Sequence, residues 1–204
     1  MKDWSLMLLM DTDIVSLMGN PNAPAGLRPW LLEVGVHRLA LCYPVVAELM
    51  RGANLKVRDN PDRALAIANW AKELIATSFH FPEMTAEVAM KYAEMTAVPG
   101  LRHMWTVHSN QKSNRLGHDL SIAAVAIIHR LPIMSANIHD YLMIHQLFPL
   151  PGLYHPLEAR WYIDPPFGVS LPEFDPDASE SDRVALPRLQ PRHTAEEFSP
   201  QPMR

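Results

Sequence analysis

Hydrophobic positions along the chain fall either into short solid runs or into longer stretches with helical spacing. Leu6 to Met10 is a solid apolar run that stops at Asp11, the pattern of a strand buried on both faces of a parallel sheet. Thr12 and Asp13 then offer capping side chains to a helix through Ile14 to Met18, ended by Gly19-Asn20-Pro21. A second helix is expected over Leu27 to Leu39, with Pro29 near its first turn. Ala40 to Tyr43 is the next strand, and Pro44 opens a helix through Val45 to Met50 that Gly52 closes. Pro61 leads into a helix through Ala64 to Ala76, and Thr85 to Val98 makes another, stopped by Pro99-Gly100. Ser109 to Gly117 is a polar loop. Leu120 to Ile128 is apolar except for Ser121, which marks a helix buried on all sides. Ile133 to Ser135 is a short strand and Leu153 to Leu157 a last edge strand. Strands alternating with helices imply an α/β fold around a parallel sheet.

The texture changes after Phe148. Eleven of the 19 prolines fall between Pro149 and Pro202, and acidic and serine residues become frequent. The expected division is a folded domain over residues 1–160 and an acidic Pro-rich tail over 161–204. Beyond about Pro165 too little apolar surface is available to offset the entropy of ordering the chain, so the tail is expected to be disordered. Charge divides at the same place: residues 1–160 carry 14 Lys/Arg against 14 Asp/Glu, and 161–204 carry 4 against 8, the whole net charge of −4. A neutral body cannot hold nucleic acid by its global field, so such binding needs a local patch or a metal ion. Cys42 is the single cysteine; no intrachain disulfide is possible, and its apolar run reads as a buried, inert thiol. No apolar run approaches the roughly 20 residues that cross a bilayer, and Leu6 to Met10 is too short for a signal-peptide core. No membrane association and a cytoplasmic location are the expectation.

The acidic residues share one geometry. Asp11 ends a buried strand, Glu48 lies about one turn into the helix after the second strand, and Asp119 begins the buried helix that feeds the third. Asn137 and Asp140 follow the exit of that third strand. In a parallel sheet, strand exits and helix starts lie along one edge, where open α/β sheets place ligands. Asp11, Glu48, Asp119 and Asp140 are therefore expected to converge. Carboxylates in one cleft repel each other unless a cation compensates, and hard oxygen ligands point to Mg²⁺ or Mn²⁺. Such ions serve phosphoryl displacement. Taken singly, each acid also reads as a cap or a solvated helix face; their joint placement is what points to a site.

These motifs meet a family. MDTDIVSLM at 10–18 resembles the opening of PIN-domain ribonucleases, a strand followed by Asp-Thr-Asn and a helix. YPVVAELMRGA at 43–53 resembles their second motif, with Glu48 in the glutamate place. GHDLSIAAVAIIHRLPIMSANIHDY at 117–141 resembles the third and fourth motifs, and PGLYHPL at 151–157 the closing strand. The order looks most like VapC-type toxins of bacterial toxin–antitoxin pairs. The resemblance implies a three-layer α/β/α fold with a short central parallel sheet and Mg²⁺- or Mn²⁺-dependent cleavage of RNA. It also implies a homodimer restrained by a cognate VapB-like antitoxin. On this resemblance Asp11, Glu48 and Asp119 take the metal-binding acid places and Asp140 the last acidic place. Ser135 stands where a Thr or Ser supports the site, Asn137 where members carry Asp or Asn, and Asp13 replaces the usual Asn. Lys112 and Arg115, in the loop before Asp119, are candidate backbone-phosphate contacts.

Two other function classes compete. A PIN-like module that binds RNA or a partner without turnover would keep the fold and lose the chemistry. A zinc hydrolase is suggested by the 10 histidines, but none forms a helical His-x-x-x-His pair with a glutamate beside it.

Overall fold

The structure is a computed structural model that describes residues 7–105, 117–166, 168–179 and 186–189. The solid apolar run makes β1 (Leu8–Met10), with every residue buried. Asp11 caps α1 (Thr12–Gly19), and α2 (Leu27–Val34) follows. The second helix ends before Leu39 because Gly35 turns the chain at φ +94°, and Leu39–Ala40 forms β2 instead. Helix α3 (Tyr43–Lys56) runs straight through Gly52, where a Cβ would meet nothing within 4 Å. A helical glycine costs only about 1 kcal/mol relative to alanine, and the buried Leu49 and Ala53 beside it outweigh that cost. Then come α4 (Pro61–Ala76), α5 (Ala86–Thr96) and α6 (Asp119–His129), followed by β3 (Ile133–Met134). An unforeseen helix, α7 (Ile138–Leu147), begins where the sequence showed only Asn137 and Asp140. The chain closes with β4 (Leu153–His155) and β5 (Arg160–Ile163).

The sheet has the order β2-β1-β3-β4-β5, parallel except for the antiparallel β4–β5 pair. Leu153–His155 is thus an inner strand, and β5, which spans residues 160 and 161, forms the edge. The chain moves from β1 to β2 on one side and to β3 and β4 on the other. Right-handed crossovers then set the connecting helices on opposite faces, which gives the three-layer α/β/α arrangement. Leu120 and Ile122 through Ala126 of α6 are fully buried, so this helix is core on all sides. No helix among the described residues is long and apolar enough to cross a membrane.

The described residues beyond Ile163 pack onto the body rather than leaving it. Trp30 Nε1 donates to the Pro172 carbonyl and Trp70 Nε1 to that of Pro187, each at 3.0 Å. Arg28 donates to the carbonyls of Met18, Leu186 and Pro187, and Arg38 to that of Ser170. Leu186 is buried, and Phe174 meets the Trp30 ring edge-on. The strap lies so close that a Cβ on Gly26 would come within 1.9 Å of the Asp175 carbonyl oxygen. Body donors reading main-chain carbonyls hold this segment, which its low apolar content could not announce. The Arg28 anchor joins it to Met18, at the end of α1 opposite Asp11.

Candidate active site

The order of strands turns around between β1 and β3, so their following loops leave toward opposite faces and open a crevice at the carboxyl edge. Both loops bring carboxylate chemistry to it. Asp11 is the N-cap of α1 and almost fully buried. Its Oδ1 accepts from the Thr12 amide at 2.6 Å, and its Oδ2 from the Ser135 hydroxyl at 2.7 Å. Ser135, fully buried at the exit of β3, thereby ties the two strand ends together.

Asp13, in the first turn of α1, is absorbed by the opposite loop. Its Oδ1 accepts from the Ile14 amide at 2.6 Å, and its Oδ2 from the Ala136 and Asn137 amides at 2.7 and 3.0 Å. Ser135 Oγ stands 3.2 Å from the same Oδ2, but its single hydrogen is engaged by Asp11 at the shorter distance. Asp13 thus braces the β3–α7 turn and has few lone pairs left for a ligand. Asn137 performs a second bridge: its Nδ2 donates to Asp140 Oδ2 at 2.8 Å and to Asp119 Oδ2 at 3.3 Å. Asp119 is the first residue of α6, with His118 in the capping place, and Asp140 lies in the first turn of α7. Glu48 projects from α3 near enough for its charge to act on Asp119.

The electrostatics follow from this crowding. Burial, then the Asp13 and Asp119 charges, push Asp11 well above the ordinary carboxylate range, against the Ser135 and Thr12 hydrogen bonds. Burial likewise raises Asp13, opposed by its ring of donors. Asp119 is pushed up to about 7 by burial, then by Asp140, Glu48 and Asp13. Among the described residues, no cation stands with the groups acting most strongly on these acids. Each charge is held by neutral donors, which stabilise it less than a counter-ion would. The donor set therefore suits a hard divalent cation in its chemistry. In its present geometry it stops short of a ligand sphere: among the described residues, no three His, Cys, Asp or Glu side chains stand ready to hold a metal ion.

Asp11, Asp13, Glu48, Asp119, Ser135, Asn137 and Asp140 thus come to one edge, whereas Lys112 and Arg115 lie outside the described residues. Cys42 is buried beside Asp11, and burial pushes its thiol up to about 12, the state of an inert group. Sequence reasoning missed Tyr141. It reads as a core aromatic of α7, yet its buried hydroxyl has no hydrogen-bond partner in the described chain, and the Asp11, Asp119 and Asp13 charges act on it. The signal available was an aromatic carrying a hydroxyl directly after Asp140.

No family model matches the sequence, and no curated protein does. Several solved structures show a partly similar arrangement. One is VapBC2 from Rickettsia felis bound to a DNA fragment from their promoter, at 18% identity over 67% of this chain and 92% of that chain, with a TM-score of 0.46. FitAB bound to the IR36 DNA fragment is 19% identical over 67% of this chain and 90% of that one, with a TM-score of 0.49. FitAcB from Neisseria gonorrhoeae is 21% identical over 67% and 92%, with a TM-score of 0.44. These likenesses are distant, and the functional reading rests on the chain's own site.

Proposed function

We propose that this protein is a divalent-cation-dependent endoribonuclease of the PIN type, acting as the toxin of a type II toxin–antitoxin pair. The observation that carries the reading is the crowding of Asp11, Glu48, Asp119 and Asp140 at the β1–β3 crevice, with Asp119 pushed up to about 7 and burial and like charge as the causes. Acids placed where they cannot all ionise call for a cation, and the resemblance of the ordered motifs to PIN-domain ribonucleases supports phosphodiester hydrolysis as the chemistry it serves. Asp11, Glu48 and Asp119 would hold Mg²⁺ or Mn²⁺, with Asp140 beside them. When bound, the ion supplies charge stabilisation at the phosphate and a more acidic water.

The chain's own residues do the positioning. Ser135 fixes the Asp11 carboxylate from the β3 side, and Asn137 keeps Asp119 and Asp140 together. Asp13 locks the turn that carries both. A scissile RNA phosphate is brought to this edge, with Lys112 and Arg115 contacting neighbouring phosphates, and hydrolysis leaves a 5′-phosphate product. A VapB-like antitoxin, a homodimer and a cytoplasmic setting complete the proposal.

One observation favours a second reading, a PIN-like binding module without turnover: the acids do not already converge as ligands. The two separate on a total RNA pool. The nuclease reading expects fragmentation with Mg²⁺ or Mn²⁺, none in EDTA, and none from Asp11→Asn. Equal RNA binding by both proteins with no cleavage under any of these conditions supports the module instead.

A further inference from the structure

The carboxyl edge of the sheet continues past the acid cluster. The Asp11 amide donates to the Met134 carbonyl at 3.0 Å, and the Ser135 amide to that of Tyr154 at 3.1 Å. These ladder bonds set Asp11, Ser135 and His155 level with one another at the ends of β1, β3 and β4. Strand β5 then adds Arg160 opposite His155. Residues level in a sheet project from one face, as the 2.7 Å bond from Ser135 to Asp11 shows for the first pair. With strands about 4.8 Å apart, the Arg160 backbone lies about 14 Å from that of Asp11.

A tight turn delivers Arg160 to this place. His155 Nδ1 accepts from the Glu158 amide at 3.2 Å, and Ala159 takes φ +48°, so the chain reverses into β5. The exposed Arg160 guanidinium lies over the Tyr162 ring, 4.7 Å from its centre, and the Tyr162 hydroxyl donates to Glu158 Oε2 at 2.6 Å. Among the described residues, no carboxylate forms an ion pair with Arg160. A guanidinium held by stacking keeps its N–H edges for an anion such as phosphate. Arg160 does not serve the acids as a counter-ion, because about 14 Å exceeds the roughly 8 Å over which physiological salt screens a charge. It is, however, a few nucleotides along the backbone of a chain whose scissile phosphate lies at Asp11. Residues 1–160 are neutral, so RNA has to be held by local cations of this kind.

We propose that Arg160, stacked on Tyr162, is a backbone-phosphate contact for an RNA strand that runs from the acid cluster across β3 and β4 to β5. The inference rests on the nuclease reading above and gives the path of its substrate.

The test is Arg160→Ala and Arg160→Lys in the full chain. Binding of a labelled unstructured RNA oligonucleotide is followed by fluorescence anisotropy in EDTA across a KCl series. Arg160→Ala is expected to bind about 5-fold more weakly, with the slope of log affinity against log salt reduced by about 0.7, one single-strand phosphate contact. Arg160→Lys keeps the charge and therefore the slope. The metal-free Tm of both variants stays within about 4 °C of wild type, and Mn²⁺ uptake, counted from the free-ion EPR signal, is unchanged. An unchanged slope in Arg160→Ala overturns the contact. So does a loss of RNA affinity shared with a loss of Mn²⁺ uptake, which marks an effect through the acid cluster. A wild-type dimer that Arg160→Ala dissociates with RNA affinity unchanged makes this face a protein contact and overturns the inference too. Wild type that binds RNA through Arg160 but cleaves none with Mg²⁺ or Mn²⁺ leaves the contact standing and ends the nuclease reading. Wild type that cleaves RNA while its salt slope ignores Arg160 overturns this inference alone.

Discussion

Replacing Asp119 by Asn removes a charge from the crowded edge, and the structure sets both the sign and the size of the effect. In the folded protein Asp119 is pushed up to about 7 from an ordinary 3.8, by burial and by Asp140, Glu48 and Asp13. A carboxyl whose folded pKa is raised binds its proton more tightly in the native state. Stability is therefore highest below pH about 4, falls as pH rises toward about 7, and is flat above it. A shift of about 3 units corresponds to about 4 kcal/mol at most. Partial exposure at the edge of the sheet and ionic screening reduce that to about 2 kcal/mol. Asn keeps an oxygen that can accept from Asn137 Nδ2, so the bridge survives. In EDTA at pH 8, Asp119→Asn is expected to unfold about 4–8 °C above wild type. At pH 4 the two should nearly coincide. The assay is urea and thermal unfolding followed by tryptophan fluorescence, with and without Mg²⁺. Wild type should gain stability from Mg²⁺ at pH 8, and the variant should gain little. A variant no more stable than wild type in EDTA at pH 8, or an unchanged pH slope, would refute the account of this site as frustrated by like charge.

Other perturbations separate the parts of the structure. Ser135→Ala leaves buried Asp11 Oδ2 without its donor, and a charge-assisted bond of this kind is worth about 2 kcal/mol; urea unfolding at pH 8 should show that loss, and an unchanged midpoint would deny the strand-to-strand tie. Gly26→Ala drives a Cβ toward the Asp175 carbonyl, so limited proteolysis should cut the chain beyond Ile163 faster while near-UV dichroism of the body stays close to wild type. Equal cleavage rates would mean the strap does not depend on that close approach. Lys112→Ala with Arg115→Ala should weaken RNA binding and reduce the slope of log affinity against log salt by about 1.4, two single-strand phosphate contacts. An unchanged slope places the phosphate contacts elsewhere.

The buried parts of the fold were legible because burial leaves a pattern. Leu8 to Met10 is apolar without interruption and Leu120 to Ala126 apolar except for Ser121, and the structure buries those apolar residues. Asp11, Glu48, Asp119 and Asp140 were readable as a set because a parallel sheet brings strand exits to one edge. What the pattern hid depends on partners distant in sequence. The role of Asp13 is set by amides 123 and 124 residues away, and its position next to a helix start made it look like a cap. The strap beyond Ile163 is held through its carbonyls by Arg28, Trp30 and Trp70, and main-chain acceptors leave no mark in composition.

The central claim is that the crevice between β1 and β3 holds a divalent cation. A crystal grown with Mn²⁺ and measured at the manganese edge tests it most directly. The account predicts an anomalous peak between Asp11 and Asp119, with a Glu48 oxygen drawn toward it and no peak in Asp11→Asn crystals. A Mn²⁺-saturated crystal with no density there, or with the ion bound only at another surface, would contradict it.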